Sequence, residues 1–150
     1  MASTIDNSVL LVRISEELEL NGRKFGDIVT KKISGINEVS ERIITAATAG
    51  TTVLSLGSSN GAGAFVRDNV KYIRITNLDN SNFVRLALIT DAGGNPAAHI
   101  KLPALDSFIL SSGVAATVAD GDAVTFDNVT SIVARANTAD VDLGIFVASQ

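Results

Sequence analysis

Hydrophobic and polar residues alternate with a period of two along two neighbouring stretches, residues 70–78 and 82–89. Since successive side chains of a strand point to opposite faces of a sheet, each stretch predicts a strand with one buried face. The turn-forming residues Asp79-Asn80-Ser81 separate the two stretches, so the pattern predicts an antiparallel hairpin. The side chains predicted to face the core are Ile73, Ile75, Val84, Leu86 and Leu88.

The same alternation recurs along the rest of the chain, with turn-forming residues about every eight to twelve positions, a spacing typical of β-sandwiches and barrels. Asn21-Gly22 predicts a tight hairpin turn because both residues tolerate positive φ. Pro103 cannot donate to a ladder and therefore predicts an edge or a corner. The further predicted strands are residues 8–15, 18–20, 23–25, 28–33, 52–56, 99–102, 107–110, 131–135 and 141–148.

Residues 36–44 fit two patterns, because their isoleucines and valine have helical spacing whereas residues 42–45 read as extended. We interpret this segment as mostly strand. Residues 57–63 and 91–96 predict loops. Turns are predicted at Asp120-Gly121-Asp122 and Asp127-Asn128, with a strand beginning at Val124 and Phe126 between them. The last strand adds four predicted core residues, Val141, Leu143, Ile145 and Val147.

No linker, repeat or low-complexity tract divides the sequence, so we expect a single antiparallel β-sandwich domain over residues 1–150. Residues 1–8 contain too few apolar groups to hold themselves in a core. We therefore expect them to form a flexible N-terminal arm that becomes ordered only on binding.

The surface predicted from the composition is poor in charge. Hydrophobic residues make up 46% of the chain and charged residues only 19%, and the mean hydropathy is +0.31. Because interface cores are depleted in charged residues, this balance favours a protein whose surface is partly covered by neighbours. The alternative is a stable monomer with a sheet face rich in threonine and alanine.

The charge distribution excludes several classes of function. The net charge is −4, and residues 76–150 carry three basic and eight acidic groups. With no basic patch interleaved with aromatic residues, we expect no binding to nucleic acid. The absence of cysteine excludes disulfides and thiol chemistry. Lacking a signal peptide or an apolar run long enough to span a bilayer, the chain is expected to be a soluble protein made in a cytoplasm, with no membrane partner.

The candidate chemical groups predict neither catalysis nor a cofactor. The only histidine, His99, has no nucleophile motif beside it and is expected to be structural or solvated. The glycine-rich stretch Gly57–Gly63 lacks the Lys-Ser/Thr pair of a phosphate loop. The acidic residues Asp120, Asp122 and Asp127 do not have the spacing of a calcium loop, so turn chemistry is favoured over a metal site. Asn128-Val129-Thr130 matches a glycosylation acceptor, but without a secretory signal the match carries little meaning.

Four stretches together resemble the small β-rich virion proteins of tailed bacteriophages, particularly marine ones. They are Val70–Asp79, Asn82–Leu86, Leu102–Leu110 and Val141–Ala148. The resemblance covers roughly residues 39 to 148 and is a pattern of strands and turns rather than a catalytic signature. It implies a sandwich of jelly-roll type and a structural role in the virion, and it offers no catalytic, cofactor-binding or metal-binding residues to carry over.

The resemblance implies a capsid decoration (cement) protein that binds the outside of the phage head and stabilises the lattice of the major capsid protein. It further implies a homotrimer at the threefold positions of that lattice, with the virion surface as its location. The alternative is a receptor- or glycan-binding module of a tail or head fibre. Sugar recognition favours exposed aromatic platforms, and the sequence has no Trp, one Tyr and six Phe. An enzyme is not expected.

Overall fold

The computed structural model describes residues 6–90, 96–111, 116–117 and 127–150. Within these residues the regular structure consists of strands and one short 3-10 turn at Arg67–Asn69. The strands are β1 (Ser8–Ser15), β2 (Leu18–Leu20), β3 (Arg23–Phe25), β4 (Ile28–Ile36), β5 (Glu38–Ala46), β6 (Thr51–Gly57), β7 (Ala64–Val66), β8 (Val70–Asn77), β9 (Val84–Thr90), β10 (Pro96–Leu102), β11 (Ser107–Leu110), β12 (Ala116–Thr117), β13 (Asp127–Ala136) and β14 (Val141–Ser149).

Two sheets form a β-sandwich, which confirms the all-β fold predicted from the sequence. The four-stranded sheet has the order β11-β8-β14-β5, and the six-stranded sheet contains β10-β9-β13-β6-β7 with β12 paired to β13. Counted along the chain from β5, and leaving out β7 and β12, eight strands pair in the orders 6-3-8-1 and 5-4-7-2. This is the strand order of a jelly roll. The short pair between β6 and β7 is parallel, whereas the other pairs are antiparallel.

The predicted hairpin over residues 70–90 is wrong, because β8 belongs to the four-stranded sheet and β9 to the six-stranded sheet. The turn residues do shape the connection, since Asp79 Oδ1 accepts hydrogen bonds from the backbone N–H groups of Ser81 (2.7 Å) and Asn82 (2.5 Å). The connection nevertheless crosses between the sheets. A period-two pattern fixes which face of a strand is buried, but it does not fix which strand lies beside it.

Asn77 holds this crossing in place. Its side chain is fully buried, and its amide nitrogen donates to the carbonyl oxygens of Asn82 at 2.8 Å, Pro103 at 2.9 Å and Leu102 at 3.3 Å. Its Oδ1 accepts the backbone N–H of Asp79 at 3.0 Å. One side chain thus joins the end of β8 to the start of β9 and the end of β10.

Two of the other predicted features are confirmed and one is wrong. The ambiguous segment 36–44 is strand, mainly in β5. Pro103 lies at a corner, where the chain passes from β10 to β11, the outermost strands of the two sheets. The turn predicted at Asp127-Asn128 is wrong, because β13 already begins at Asp127 and continues to Ala136. The turn at residues 120–122, the strand start at Val124 and Phe126, and loop residues 91–95 lie outside the described residues.

The core lies between the two sheets and contains every residue that the alternation assigned to it. These residues are Ile73, Ile75, Val84, Leu86, Leu88, Val141, Leu143, Ile145 and Val147. They come from both sheets. The predicted buried faces are therefore confirmed, although the predicted hairpin is wrong. Burial of these side chains is the main source of stability in a sandwich of this kind.

The first strands form a ribbon, Ser8–Ile36, that continues away from the sandwich. β1 pairs with β4 and β2 with β3 in one unshifted register from Val9 to Leu20, closed by the predicted Asn21-Gly22 turn with φ of 52° and 76°. Near its base the ribbon packs on the outer face of the four-stranded sheet. The contacting side chains are Leu10, Val12 and Ile33 of the ribbon and Tyr72, Phe146 and Ala148 of the sheet.

Truncation of Leu86 tests the assignment of the core. Leu86 is fully buried, so Leu86→Ala removes apolar contacts and leaves a cavity. We expect the free energy of unfolding to fall by about 2–5 kcal/mol. Urea unfolding measures the difference, and a midpoint equal to that of the parent would contradict the inward orientation of β9.

Substitution of Asn77 tests the crossing. Asn77→Ala removes the side-chain donor from the carbonyl oxygens of Asn82, Leu102 and Pro103, of which Pro103 keeps the backbone N–H of Asp106. We expect the free energy of unfolding to fall by roughly 1–3 kcal/mol. Asn77→Asp preserves the size and the acceptor but faces a carboxylate toward those oxygens, so at neutral pH it should destabilise more than the alanine. Urea unfolding of both variants provides the comparison. An aspartate variant as stable as the parent would show that the amide is not needed.

Candidate interaction surfaces

The residues that the sequence singled out for chemistry do not come together in the structure. His99 is exposed on β10, opposite Ala87 of β9, and has no hydrogen-bond partner among the described residues. Asp127 starts β13, while Asp120 and Asp122 lie outside the described residues. Within the part of the chain that the structure describes, no group of three or more histidine, cysteine or acidic side chains has the arrangement of a metal site.

The glycine-rich stretch Gly57–Gly63 connects β6 to β7, as the sequence predicted. Gly63 has φ of 74°, and its carbonyl oxygen accepts the backbone N–H of Ser55 at 2.9 Å. The guanidinium of Arg42 lies against Gly63 and donates to the carbonyl oxygen of Val53 at 2.6 Å. Since Arg42 belongs to the other sheet, this contact fastens the loop across the edge of the sandwich rather than opening it toward a ligand.

The ribbon exposes large apolar side chains beyond the part that packs on the sheet. At its tip Leu18 is 59% exposed, Leu20 57% and Phe25 50%. Leu18 lies opposite Phe25 in the register, so the two side chains share a face. The exposed apolar residues farther down the ribbon are Ile14 and Val29 on that same face, and Val9, Leu11 and Ile28 on the other face. A two-stranded ribbon is too thin to bury such side chains by itself, so this apolar surface is a candidate binding site.

A row of three cations crosses the outer face of the six-stranded sheet. Arg85 of β9 lies directly opposite Lys101 of β10 on one side and Arg135 of β13 on the other. All three are exposed, and we call them the basic row. Side chains directly opposite each other on antiparallel strands have Cβ atoms about 4.5–5.5 Å apart, and like charges in that position repel. The basic row therefore costs stability in the isolated chain.

Two of the three cations are held in position by neutral groups. The ammonium of Lys101 lies 4.4 Å from the ring centroid of Phe83, a cation–π contact. Arg135 donates to the carbonyl oxygen of Ala49 at 2.9 Å. Arg85, between them, has no such contact. The ion pairs of the described chain, Arg67–Asp68 and Arg74–Glu41, involve none of the three.

Three carboxylates gather at one end of the four-stranded sheet, on its outer side. Asp79, Asp140 and Asp142 line a shallow groove of about 400 Å³ together with Thr45 and Leu78, and we call them the acidic corner. Asp142 accepts the Thr45 hydroxyl at 2.7 Å, and Asp140 accepts the backbone N–H of Thr48 at 3.4 Å. The backbone N–H groups of Asn82 and Ser81 lower the pKa of Asp79, so it stays ionised. No cation pairs with the acidic corner in the described chain.

Sequence reasoning missed both charged groups. Arg85, Lys101 and Arg135 are the only basic residues of the second half of the chain, and that count was the available signal. They are far apart in sequence and become neighbours only through the pairing of β10, β9 and β13. The acidic corner likewise joins the β8–β9 connection to the start of β14. Its assembly depends on the pairing of β8 with β14, which places Asn77 opposite Leu143.

Removal of the central cation tests the repulsion within the basic row. In Arg85→Glu a carboxylate stands between Lys101 and Arg135, so repulsion becomes attraction across both pairs of strands. We expect the free energy of unfolding to rise by about 0.2–1 kcal/mol in urea at low salt. Arg23→Glu is the matched control, because the exposed Arg23 lies opposite the uncharged Leu20 at the tip of the ribbon. A destabilised Arg85→Glu beside an unchanged control would contradict the repulsion.

Comparisons with known proteins give no relative for this chain: no family model, no curated protein and no solved structure matches it. Among the described residues there is no helix with the length and hydrophobicity needed to cross a bilayer. The function is therefore inferred from the surfaces of the ribbon and the sandwich.

Proposed function

We propose that this protein is a structural component of a virion: a capsid decoration protein, not an enzyme, that binds the outside of a phage head. The observation that carries the proposal is the ribbon, whose large apolar side chains are exposed in the part of the chain that the structure describes. Exposed apolar surface of this extent is typical of sites that bind another protein. The strand order adds support, since the jelly roll is common among viral capsid domains, although a fold alone does not determine function.

In this proposal the ribbon is the anchor and the sandwich is the body that projects from the shell. The ribbon base is fixed by Leu10, Val12 and Ile33 on the four-stranded sheet, and Lys31 donates to the carbonyl oxygen of Ser111. A base fixed in this way presents the tip at a defined angle and limits the entropy lost on binding. The tip side chains Leu18 and Phe25 then enter an apolar groove of the coat protein.

The coat lattice multiplies this contact by symmetry. An icosahedral shell offers many identical sites, so modest single contacts become strong when copies are linked to one another. The low fraction of charged residues agrees with a surface that neighbours partly cover. We propose a homotrimer at the threefold positions of the lattice, a step that comes from the resemblance to phage virion proteins.

The flexible arm predicted at residues 1–8 falls mostly on residues that the structure does not describe. Residues 1–5 lie outside the described residues, and Ser8 already begins β1.

Removal of the apolar tip tests the anchor. The double variant Leu18→Ser/Phe25→Ser should fold as the parent does, because both side chains are at least half exposed. We expect its affinity for purified phage shells stripped of this protein to fall about tenfold or more, since both side chains lose an apolar contact. Co-sedimentation with the shells measures binding, and the melting temperature of the loaded shells reports their stabilisation.

The matched control is Leu105→Asn, which removes an exposed leucine from the turn between β10 and β11. Leu105 has φ of 60°, a conformation that asparagine tolerates, so folding is preserved. The control should bind shells like the parent. Failure of the intact protein to bind shells, or full binding by the tip variant, would overturn the proposal.

A further inference from the structure

The described chain carries two charged groups of opposite sign on the outer sides of the two sheets, near the same end of the sandwich. The basic row lies on the outer face of the six-stranded sheet, and the acidic corner lies on the outer side of the four-stranded sheet. Arg135 and Asp140 bond to consecutive residues of one turn, Ala49 and Thr48, yet no ion pair joins the two groups within the described chain. Each contains three charges, and neither forms an ion pair with the rest of the described chain.

We propose that the basic row of one copy binds the acidic corner of a second copy, so that the chain associates head to tail. The contact brings a carboxylate group to cations that repel one another in the isolated chain. Guanidinium groups such as those of Arg85 and Arg135 suit this pairing because they bind carboxylates in a bidentate fashion. The repulsion along the basic row is relieved only when the partner is bound.

A second copy fits the basic row better than a polyanion does. The net charge of −4 repels nucleic acid and acidic polysaccharides at long range. The basic row crosses only three adjacent strands, a width of about 10 Å at the usual strand spacing. A compact group of carboxylates matches that width, whereas a long polymer would need cations along a whole groove.

The geometry makes the contact heterologous, because different surfaces of the two copies meet. Head-to-tail contacts close into a ring when the rotation between copies allows it, and otherwise they form an open chain. Closure after three copies would give the trimer proposed above, and this one detail depends on the proposed function. The contact itself requires no shell, so it is tested in solution with the purified chain.

Two double variants, each lacking one surface, test the contact. Arg85→Glu/Lys101→Glu changes the basic row and leaves the acidic corner intact, and it retains the contact of Arg135 with Ala49. Asp140→Lys/Asp142→Lys changes the acidic corner and leaves the basic row intact. Sedimentation velocity at low salt should show self-association of the parent, which weakens as salt rises. Each variant alone should associate at least about tenfold more weakly.

Mixing the two variants gives the decisive measurement. One variant supplies a native acidic corner and the other a native basic row, so the mixture should form a one-to-one complex although neither variant self-associates. The matched controls are Arg13→Glu/Lys32→Glu and Glu17→Lys/Glu19→Lys, which make the same charge changes on the ribbon. These controls should associate like the parent.

The proposal fails if the parent sediments as a monomer at every salt concentration, or if the mixed variants stay apart. It also fails if the basic-row variant loses binding to heparin while self-association is unchanged, since the basic row would then serve a polyanion. Folding is checked by urea unfolding of every variant. The ribbon-tip variant Leu18→Ser/Phe25→Ser should lose shell binding and keep its self-association. This result would show that the ribbon binds the shell independently of the contact between copies.

Discussion

The passage of the chain between the two sheets at Asn77 is the constraint on which the rest of the structure depends. A buried amide donates there to three carbonyl oxygens, one at the end of β10 and one in each of the β8–β9 and β10–β11 connections. A buried polar group is tolerated only when its hydrogen bonds are made, so the site accepts few alternatives. Once β8 and β9 are committed to different sheets, their hydrophobic faces must meet across the core.

The same crossing also determines the surfaces. With β9 between β10 and β13, Arg85 stands in register with one cation on each side. The connection itself carries Asp79 to the end of the four-stranded sheet, where it meets Asp142 of β14. Had residues 70–90 formed a hairpin within one sheet, β8 would take the place of β10 or β13 beside β9, and Arg85 would lose one of its two neighbouring cations. The crossing that Asn77 holds in place is thus also what leaves Arg85 between two other cations.

Alternation along the sequence predicted the buried faces correctly because burial is a property of each strand alone. Ile75 and Leu86 are buried whether their strands pair or face each other, so the core residues could be found without the topology. Pairing is different, since a turn at Asp79 serves a hairpin and a crossing equally well. The turn predicted at Asp127 failed for a related reason. Aspartate and asparagine favour turns locally, but pairing in the sheet extends β13 through them.

The interaction surfaces were harder to predict because they depend on what surrounds each residue. The strands of the ribbon were visible in the sequence, but their apolar residues look like core residues until the ribbon is seen to leave the sandwich. The basic row consists of isolated cations in a sequence that has no basic run. Only the register of three strands makes them neighbours.

The apolar ribbon and the charged groups have complementary physical properties. Apolar contacts supply affinity but little direction, whereas charges on a surface so poor in charge supply orientation and reject wrong arrangements. An exposed ion-pair contact between two copies is weak by itself and is screened by salt. Copies held by their ribbons on one shell would meet at a high effective concentration, where a weak contact is sufficient. Repulsion within the basic row lowers the stability of the free chain. This loss is expected for a surface that is adapted to neighbouring copies rather than to solvent.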